Sequence, residues 1–371
     1  MRMPLAAALL LCSTVLASAQ EAEKEFPAKL LGQALLPANT LVPAPADAPA
    51  DLKVSGKFLT PGKRVEAVGT VMGASGGRPT GLFTPFAGSD FDPESIQPIG
   101  GKYWIGEEFG PYLLRVDADG KVEAVFETMV DGKPARSPDH FAVTTPGVPN
   151  QQVAFNVRRS KGFEGMAQSP DGRFLYPLLE GAFWDTAKNS FEEIDGKAVL
   201  RILEFDVQAE KWTGRSWFYP LEAKGNAIGD FNMIDATTGL IIERDDGEGT
   251  ADKACPAGQR GPDCFHDIAR FKRIVKIEMT DANAGKPVRK IGHIDLMNIK
   301  DPDGKAKQGT TNGVFTFPFF TIENVDVVDR ANGIIVVGND NNLPFSSSRD
   351  PKKADDEELV LLSVKELLEA R

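Results

Sequence analysis

The sequence has few of the residues that form nitrogen- and sulphur-ligated metal sites. Its 371 residues include three cysteines and three histidines, and His140, His266 and His293 lie far apart in the chain. Cys255 and Cys264 bracket a loop rich in Pro and Gly, without CxxC spacing. We expect these two cysteines to form a local disulfide in an oxidising compartment, and nothing in the spacing indicates a zinc site.

Long apolar runs are also missing, because no run reaches the ~20 residues of a membrane-spanning helix. Residues 5–16 are predominantly apolar, follow Arg2 and precede the tripeptide Ala-Ser-Ala at residues 17–19. This pattern is typical of a secretory signal peptide over residues 1–19. We therefore expect a periplasmic or secreted protein without a transmembrane segment.

Positive charge is scarce. Lys and Arg number 42 against 53 Asp and Glu, a net charge of -11, and removal of residues 1–19 removes Arg2 and leaves -12. A general nucleic-acid binder needs a basic face, so no nucleic-acid partner is expected. Clustered acids instead suit hard cations such as Ca²⁺.

Helical periodicity is nearly absent before a short C-terminal segment. Residues 20–50 are rich in Ala and Pro and are expected to form a spacer. From residue 51 onward, short apolar runs alternate with Gly, Asp, Asn and Pro, which predicts one all-β domain over residues 51–371.

A hairpin-like module recurs at residues 91–111, 162–183, 229–247 and 321–342. Each copy contains two short strands, with acids or amides at its start and acids near its end, and two further strands follow. Four strands per module predict the blades of a β-propeller, with a β-sandwich as the alternative. The key residues of the copies, Glu94, Glu164, Asn232 and Glu323, lie 70, 68 and 91 residues apart, more than a blade needs, so we expect six blades, with five or seven as alternatives. Residues 52–90 would supply a further blade or a closing strand.

The acids of the modules are the candidate functional residues. The first strand of each propeller blade lines the central channel, so equivalent positions form a ring. Like charges in a ring require a neutralising partner, and Ca²⁺ or interleaved Arg and Lys are the usual ones. The third copy has Asn232 where we align the other copies' glutamates. Arg244, which lies between Glu243 and Asp245, could bind the substrate or could equally form an inter-blade salt bridge. The predicted metal ligands are Glu94, Glu108, Glu164, Glu180, Glu243, Glu323 and Asp340.

Basic residues precede Glu164 in the second copy. Arg158, Arg159 and Lys161 would suit a phosphate ester beside a metal-binding carboxylate, although a solvated basic loop is an equal alternative. We predict catalytic roles for Glu164, Glu94, Arg159 and Lys161.

Taken in order, the modules resemble the phytase-like domain family, described by an esterase-like activity of phytase. FDPESI with YWIGEEFGPYLLRVDADGKV, GFEGMAQSPDGRFLYPLLEG, LIIERDDG and IENVDVVDRANGIIVVGNDNN carry the resemblance, which covers about residues 60–368. Ser95 and Asn324-Val325 depart from the family's glycines. The resemblance implies a propeller with an acidic site and a phosphoesterase activity.

The function that we expect is Ca²⁺-dependent hydrolysis of a small-molecule phosphate ester by a monomer. A non-catalytic cation- or ligand-binding propeller and a lactonase-like metal-dependent hydrolase are the alternatives, because a fold does not fix a function.

Overall fold

The computed structural model describes residues 23–38, 40, 91–144, 146–343 and 345–371. The described residues are nearly all-β, with 46% strand and 4% helix, which confirms the predicted class. The expected signal peptide at residues 1–19 and the strands expected in residues 52–90 lie outside the described residues.

The strands of the described residues are short, and one helical turn closes the chain. In order they are β1 (Lys24–Glu25), β2 (Lys29–Leu36), β3 (Pro93–Ile99), β4 (Lys102–Glu107), β5 (Tyr112–Val116), β6 (Val122–Glu127), β7 (Met129–Val130), β8 (Lys133–Pro134), β9 (Phe163–Gln168), β10 (Phe174–Leu179), β11 (Trp184–Asp185), β12 (Ser190–Phe191), β13 (Glu193–Ile194), β14 (Lys197–Asp206), β15 (Lys211–Pro220), β16 (Ala227–Met233), β17 (Thr238–Arg244), β18 (Lys272–Glu278), β19 (Arg289–Asp295), β20 (Ile299–Lys300), β21 (Thr310–Thr311), β22 (Val314–Phe315), β23 (Ile322–Asp329), β24 (Ile334–Asn339), β25 (Glu357–Ser363) and α1 (Lys365–Glu369).

Four four-stranded antiparallel units organise the described part of the chain, and we call them blades 1 to 4. Blade 1 has the order β3-β4-β5-β6, blade 2 β9-β10-β14-β15, blade 3 β16-β17-β18-β19 and blade 4 β23-β24-β25-β2. The four predicted modules are the first hairpins of these blades. Two further strands follow the hairpin in blades 1 to 3, as predicted, whereas in blade 4 one strand follows and β2 is the fourth. The count of six blades stays a prediction.

The first strands of the blades lie side by side, in the order β3, β9, β16 and β23. Glycines permit this approach, since a Cβ on Gly229 would lie 1.8 Å from the carbonyl oxygen of Ile322. Gln97 Nε2 donates hydrogen bonds to Asn232 Oδ1 at 2.8 Å and to the Met166 carbonyl at 2.7 Å, and Asn232 Nδ2 donates to the Val325 carbonyl at 2.8 Å. Gln97 and Asn232 therefore connect all four first strands.

The hydrophobic core lies between neighbouring blades. Trp104 of blade 1 clusters with Phe205 of blade 2, and Trp217 of blade 2 clusters with Ile241 of blade 3. The largest cluster joins blades 3 and 4 and includes Leu30 of β2. This face-to-face burial of apolar side chains between blades is the main stabilising interaction of such a fold.

The expectation of a spacer over residues 20–50 is wrong for its first part. β1 pairs in parallel with β19, and β2 pairs with β25 as the fourth strand of blade 4. The composition misled because its Pro and Ala are concentrated after Leu36, whereas residues 23–36 contain the apolar residues that become buried.

Cys255 and Cys264 form the predicted disulfide, with their Cα atoms 4.8 Å apart, in the loop between β17 and β18. Within the described residues, no helix is both long and apolar enough to cross a membrane.

The burial of β2 leads to a stability prediction. Leu30 is fully buried, so Leu30→Ala should lower the free energy of unfolding by about 2–5 kcal/mol. Its neighbour Leu31, which is 36% exposed, is the matched control, and Leu31→Ala should cost less than about 1 kcal/mol. Urea unfolding measures both values. Equal, small effects would mean that β2 is a dispensable arm.

Candidate functional site

A β-bulge recurs at the same place in each first hairpin. In blade 1, Pro93 pairs with Glu107 and Ser95 with Gly106, so Glu94 is the extra residue. The pairing of blade 2 skips Glu164, and that of blade 4 skips Glu323. A bulge breaks the ladder and redirects a side chain, and bulges are frequent beside active sites.

Blade 3 has the same bulge with different residues. Ile228 pairs with Glu243 and Phe231 with Ile241, so Gly229-Asp230 occupies the position of the glutamates. Our alignment of Asn232 with those glutamates is therefore wrong. Asp230 accepts hydrogen bonds from the backbone N–H of Phe231 and of Val325, so it connects blades 3 and 4.

Carboxylates from blades 1, 2 and 4 converge at these bulges. Ligand oxygens of Asp92, Glu94 and Glu108 lie within 4.8 Å of one another, and so do those of Glu108, Glu164 and Glu180. Glu323 and Asp340 are close enough to raise the pKa of Glu94. We call this set the acidic cluster: Asp92, Glu94, Glu108, Glu164, Glu180, Glu323 and Asp340.

Desolvation and mutual repulsion disfavour ionisation of the cluster. Burial and then Asp92 and Glu108 raise the pKa of Glu94 to about 9. Burial and then Glu180 raise the pKa of Glu108 to about 8, and burial and then Asp340 raise that of Glu323 to about 7. The pKa of Glu164 also lies well above its usual range, for the same two reasons.

Two cationic side chains border the cluster. Lys161 forms an ion pair with Glu180. Arg244 places Nη2 3.7 Å from Glu180 Oε1 and 3.9 Å from Glu323 Oε1, and its guanidinium packs on the ring of Phe320. The Arg244 side chain is only 6% exposed, and its Nε has no hydrogen-bond partner among the described residues.

Arg244 was not among the predicted site residues, since an inter-blade salt bridge was an equal alternative for it. Strand register shows its equivalence: Glu107, Leu179, Glu243 and Asn339 all pair with the residue before the bulge. The residues that follow them are Glu108, Glu180, Arg244 and Asp340. Blade 3 thus contributes a cation where the other three blades contribute an acid.

The structure does not bring Glu243 to the acidic cluster, contrary to its prediction as a metal ligand. Its carboxylate accepts hydrogen bonds from the Tyr219 hydroxyl at 2.7 Å and the Glu222 backbone N–H at 2.6 Å, and it pairs with Lys290 at 3.0 Å. The physical reason is strand alternation, because neighbouring side chains point to opposite faces. Glu107 has the same kind of role, since it accepts hydrogen bonds from three backbone N–H groups of the following loop.

Of the predicted phosphate-binding residues, the structure places only Lys161 in the cluster. Arg159 is 66% exposed and pairs with Asp139 at 2.7 Å. Arg158 stacks over the ring of Phe191, 4.1 Å from its centroid. The short loop before β9 directs these three basic side chains to different partners.

The donor set fits a hard divalent cation. All cluster ligands are carboxylate oxygens, the type that Ca²⁺ prefers. Oε1 of Glu108 is buried and has no hydrogen-bond partner within the described ranges. Since Ca²⁺–oxygen distances are about 2.3–2.6 Å, opposite ligands of one ion lie up to ~5 Å apart, which the 4.8 Å groups satisfy.

The comparisons with known proteins agree with these features. The model of the phytase-like family, described as "Esterase-like activity of phytase", matches residues 43–343. The chain belongs to the phytase-like family. No curated protein matches this phytase-like chain.

Solved structures similar to this phytase-like protein include β-propellers. The luciferin-regenerating enzyme is 12% identical with a TM-score of 0.29, and the match covers 72% of this chain and 77% of that chain. The β-propeller domain of Cps50 (Swd1) from Myceliophteria thermophila is 9% identical with a TM-score of 0.27, covering 71% and 70%. Scores this low support no inference about function.

The raised pKa values predict how the stability of the cation-free phytase-like protein depends on pH. Unfolded glutamates ionise near pH 4.5, whereas folded Glu323 and Glu108 keep their protons up to about pH 7 and 8. The folded state therefore binds more protons than the unfolded state, and stability falls as pH rises through these values. Between pH 6.5 and 8.0 we expect a loss of up to about 1.4 kcal/mol per pH unit and group.

Urea unfolding in EDTA at several pH values measures this slope. The window avoids His140, whose pKa burial lowers to about 4, and Lys272, whose pKa burial lowers to about 8. Both would give stability the opposite slope, the former below pH 6.5 and the latter above pH 8. A flat or rising stability between pH 6.5 and 8.0 would contradict the repulsion.

Adjacent glutamates provide a matched pair of variants. Glu108→Gln removes a carboxyl group that must take up a proton on folding at pH 7.5, so in EDTA it should stabilise the protein by about 1–3 kcal/mol. Glu107→Gln replaces one of the two oxygens that accept three backbone N–H groups with an amide NH2, and it should destabilise the protein by about 1–3 kcal/mol. Thermal melts at pH 7.5 distinguish the two. Destabilisation by both variants would show that Glu108 is also structural.

Proposed function

We propose that this phytase-like protein is a Ca²⁺-dependent hydrolase of small phosphate esters, with the acidic cluster as its active site. One observation carries the proposal: a dense group of carboxylates, most of them buried or half-buried and one, Glu94, exposed, is bordered by two cations, Lys161 and Arg244. Acids at close range suit a divalent cation, and cations beside it suit the anionic group of a substrate.

Five acids are candidate ligands of a divalent cation, in two sets of three that share Glu108: Asp92, Glu94, Glu108, Glu164 and Glu180. Bound Ca²⁺ would offer positive charge to phosphoryl oxygens and make a water molecule more acidic. Without a neutralising ion, protonation lowers the negative charge of the cluster, as the raised pKa values of Glu94 and Glu108 indicate.

Arg244 is the residue that we assign to the phosphoryl group. Its Nη1 donates to Asp246 at 3.3 Å, while its unpartnered Nε and the long ion pairs of Nη2, at 3.7 and 3.9 Å, leave donors available for an anion. The guanidinium carbon lies 5.4 Å from the ring centroid of Phe320, and a planar guanidinium can bind a phosphate through two parallel hydrogen bonds. Lys161 would supply a second positive charge from blade 2.

Glu94 is the acid that we assign to proton transfer. It is more exposed than Glu108, Glu164 and Glu180, so a water molecule and a substrate can reach it. Its neighbours Asp92 and Glu108 raise its proton affinity after desolvation has done so. A bound cation would favour the ionised form of Glu94, which could then accept the proton of an attacking water.

An exported location agrees with the disulfide Cys255–Cys264, because such bonds persist in oxidising compartments. We therefore extend the proposal to a periplasmic or secreted enzyme. A monomer remains our expectation for its oligomeric state.

A non-catalytic cation-binding propeller is the second candidate. It is favoured by the ion pairs of Lys161 and Arg244, which already neutralise Glu180 in part and connect blades 2, 3 and 4. In that case the cluster would serve the fold and the binding of a cation without turnover.

Turnover of a substrate panel separates the two candidates. We expect hydrolysis of phosphomonoesters or phosphodiesters with millimolar Ca²⁺, loss of activity in EDTA, and no hydrolysis of lactones. Arg244→Gln should lower kcat/KM by about 10²–10³-fold, as for the loss of one charge-stabilising donor. Arg159→Gln is the matched control and should leave activity unchanged, because Arg159 is exposed and pairs with Asp139.

The contrary outcomes are equally definite. A protein that binds Ca²⁺ but turns over no ester is a binding propeller. Hydrolysis of lactones alone would support the lactonase alternative. Equal losses in Arg244→Gln and Arg159→Gln would remove Arg244 from the site.

A further inference from the structure

We propose that the acidic cluster holds two divalent cations side by side, and that Glu108 is a ligand of both. This inference rests on the proposed function in one respect, the binding of a divalent cation by the cluster. It adds the number of ions and the residue that couples them.

Distances divide the cluster into two positions. The first consists of Asp92, Glu94 and Glu108, and the second of Glu108, Glu164 and Glu180, with all ligand oxygens of each within 4.8 Å of one another. One ion with Ca²⁺–oxygen distances of about 2.3–2.6 Å can span either set. Glu108 is the member that the two sets share.

Glu108 has the environment of a bridging ligand. It is 5% exposed, and its buried Oε1 has no hydrogen-bond partner in the described part of the chain. A carboxylate has two oxygens and about four lone-pair sites, so it can bind two ions at once. Asp92 and Glu94 belong to blade 1, and Glu164 and Glu180 belong to blade 2. Glu108 directly follows the second strand of blade 1.

The backbone holds Glu108 between these blades. A Cβ on Gly162 would lie 2.6 Å from the Glu108 Cα and 2.6 Å from its carbonyl oxygen. The segment that enters blade 2 therefore packs directly on Glu108, and only glycine allows that approach. This contact holds the backbone of Glu108 in place at the boundary between the two positions.

Charge also favours two ions over one. The cluster has seven carboxylates, and Lys161 and Arg244 are the two cations paired with it, which leaves a net charge of -5 when all are ionised. One divalent ion leaves -3 and two leave -1. Since uncompensated buried charge is costly, the second ion removes most of the remaining repulsion.

The test is calorimetric titration of the chelator-stripped, full-length protein with Ca²⁺. We expect two ions per chain for the wild type. Glu94→Gln and Glu164→Gln should each retain one strong site. Glu108→Gln should weaken both sites by at least about tenfold, the effect typical of losing a supporting group at a metal site. Glu193→Gln, an exposed acid outside the cluster, should still bind two.

Each result has a definite meaning. One ion in the wild type overturns the inference but leaves the proposed function intact, whereas no ion overturns both. Loss of only one site in Glu108→Gln overturns the shared ligand. Circular dichroism confirms that each variant is folded, and Glu108→Asp, which keeps the charge but shortens the side chain, should lower both affinities without abolishing either.

Discussion

Close packing of four first strands brings ionisable groups of like sign into one small, poorly solvated volume. Gly229 lies against the Ile322 carbonyl, and Gly162 lies against Glu108, so the backbone cannot expand there without losing contacts between blades. The glutamates at the bulges therefore stay close despite their repulsion. Their raised pKa values, the ion pairs of Arg244 and Lys161 and the preference for a divalent ion all follow from this constraint.

Adjacent residues at the ends of the second strands separate stability from chemistry. Glu107 and Glu243 face into the protein and satisfy backbone and side-chain donors, while Glu108 and Arg244, one position further on, face the cluster. Strand alternation makes this division possible within a dipeptide. In each of these two dipeptides, the first residue stabilises the blade and the second faces the acidic cluster.

Sequence reasoning identified the hairpins because acids and apolar runs recur together around Glu94, Glu164 and Glu323. It also identified the disulfide from two cysteines around a Pro/Gly-rich loop. It could not find the bulges, because an extra residue changes which face a side chain takes without changing the composition. For that reason Asn232 was misaligned and Glu243 was taken for a ligand. The role of β2 was hidden because its partner strand, β25, lies at the opposite end of the chain.

The pairing of β2 with β25 also affects how the protein folds. Lys29 pairs with Ser363, so a contact required by blade 4 spans nearly the full length of the chain. Such non-local pairing slows folding, because the chain loses the entropy of loop closure before the contacts of the pair contribute any favourable free energy. During vectorial synthesis, β2 must wait unpaired until the last strand has emerged. An unpaired strand edge is prone to aggregation, so the N-terminal segment that contains β2 is exposed to pairing with other molecules until β25 is available.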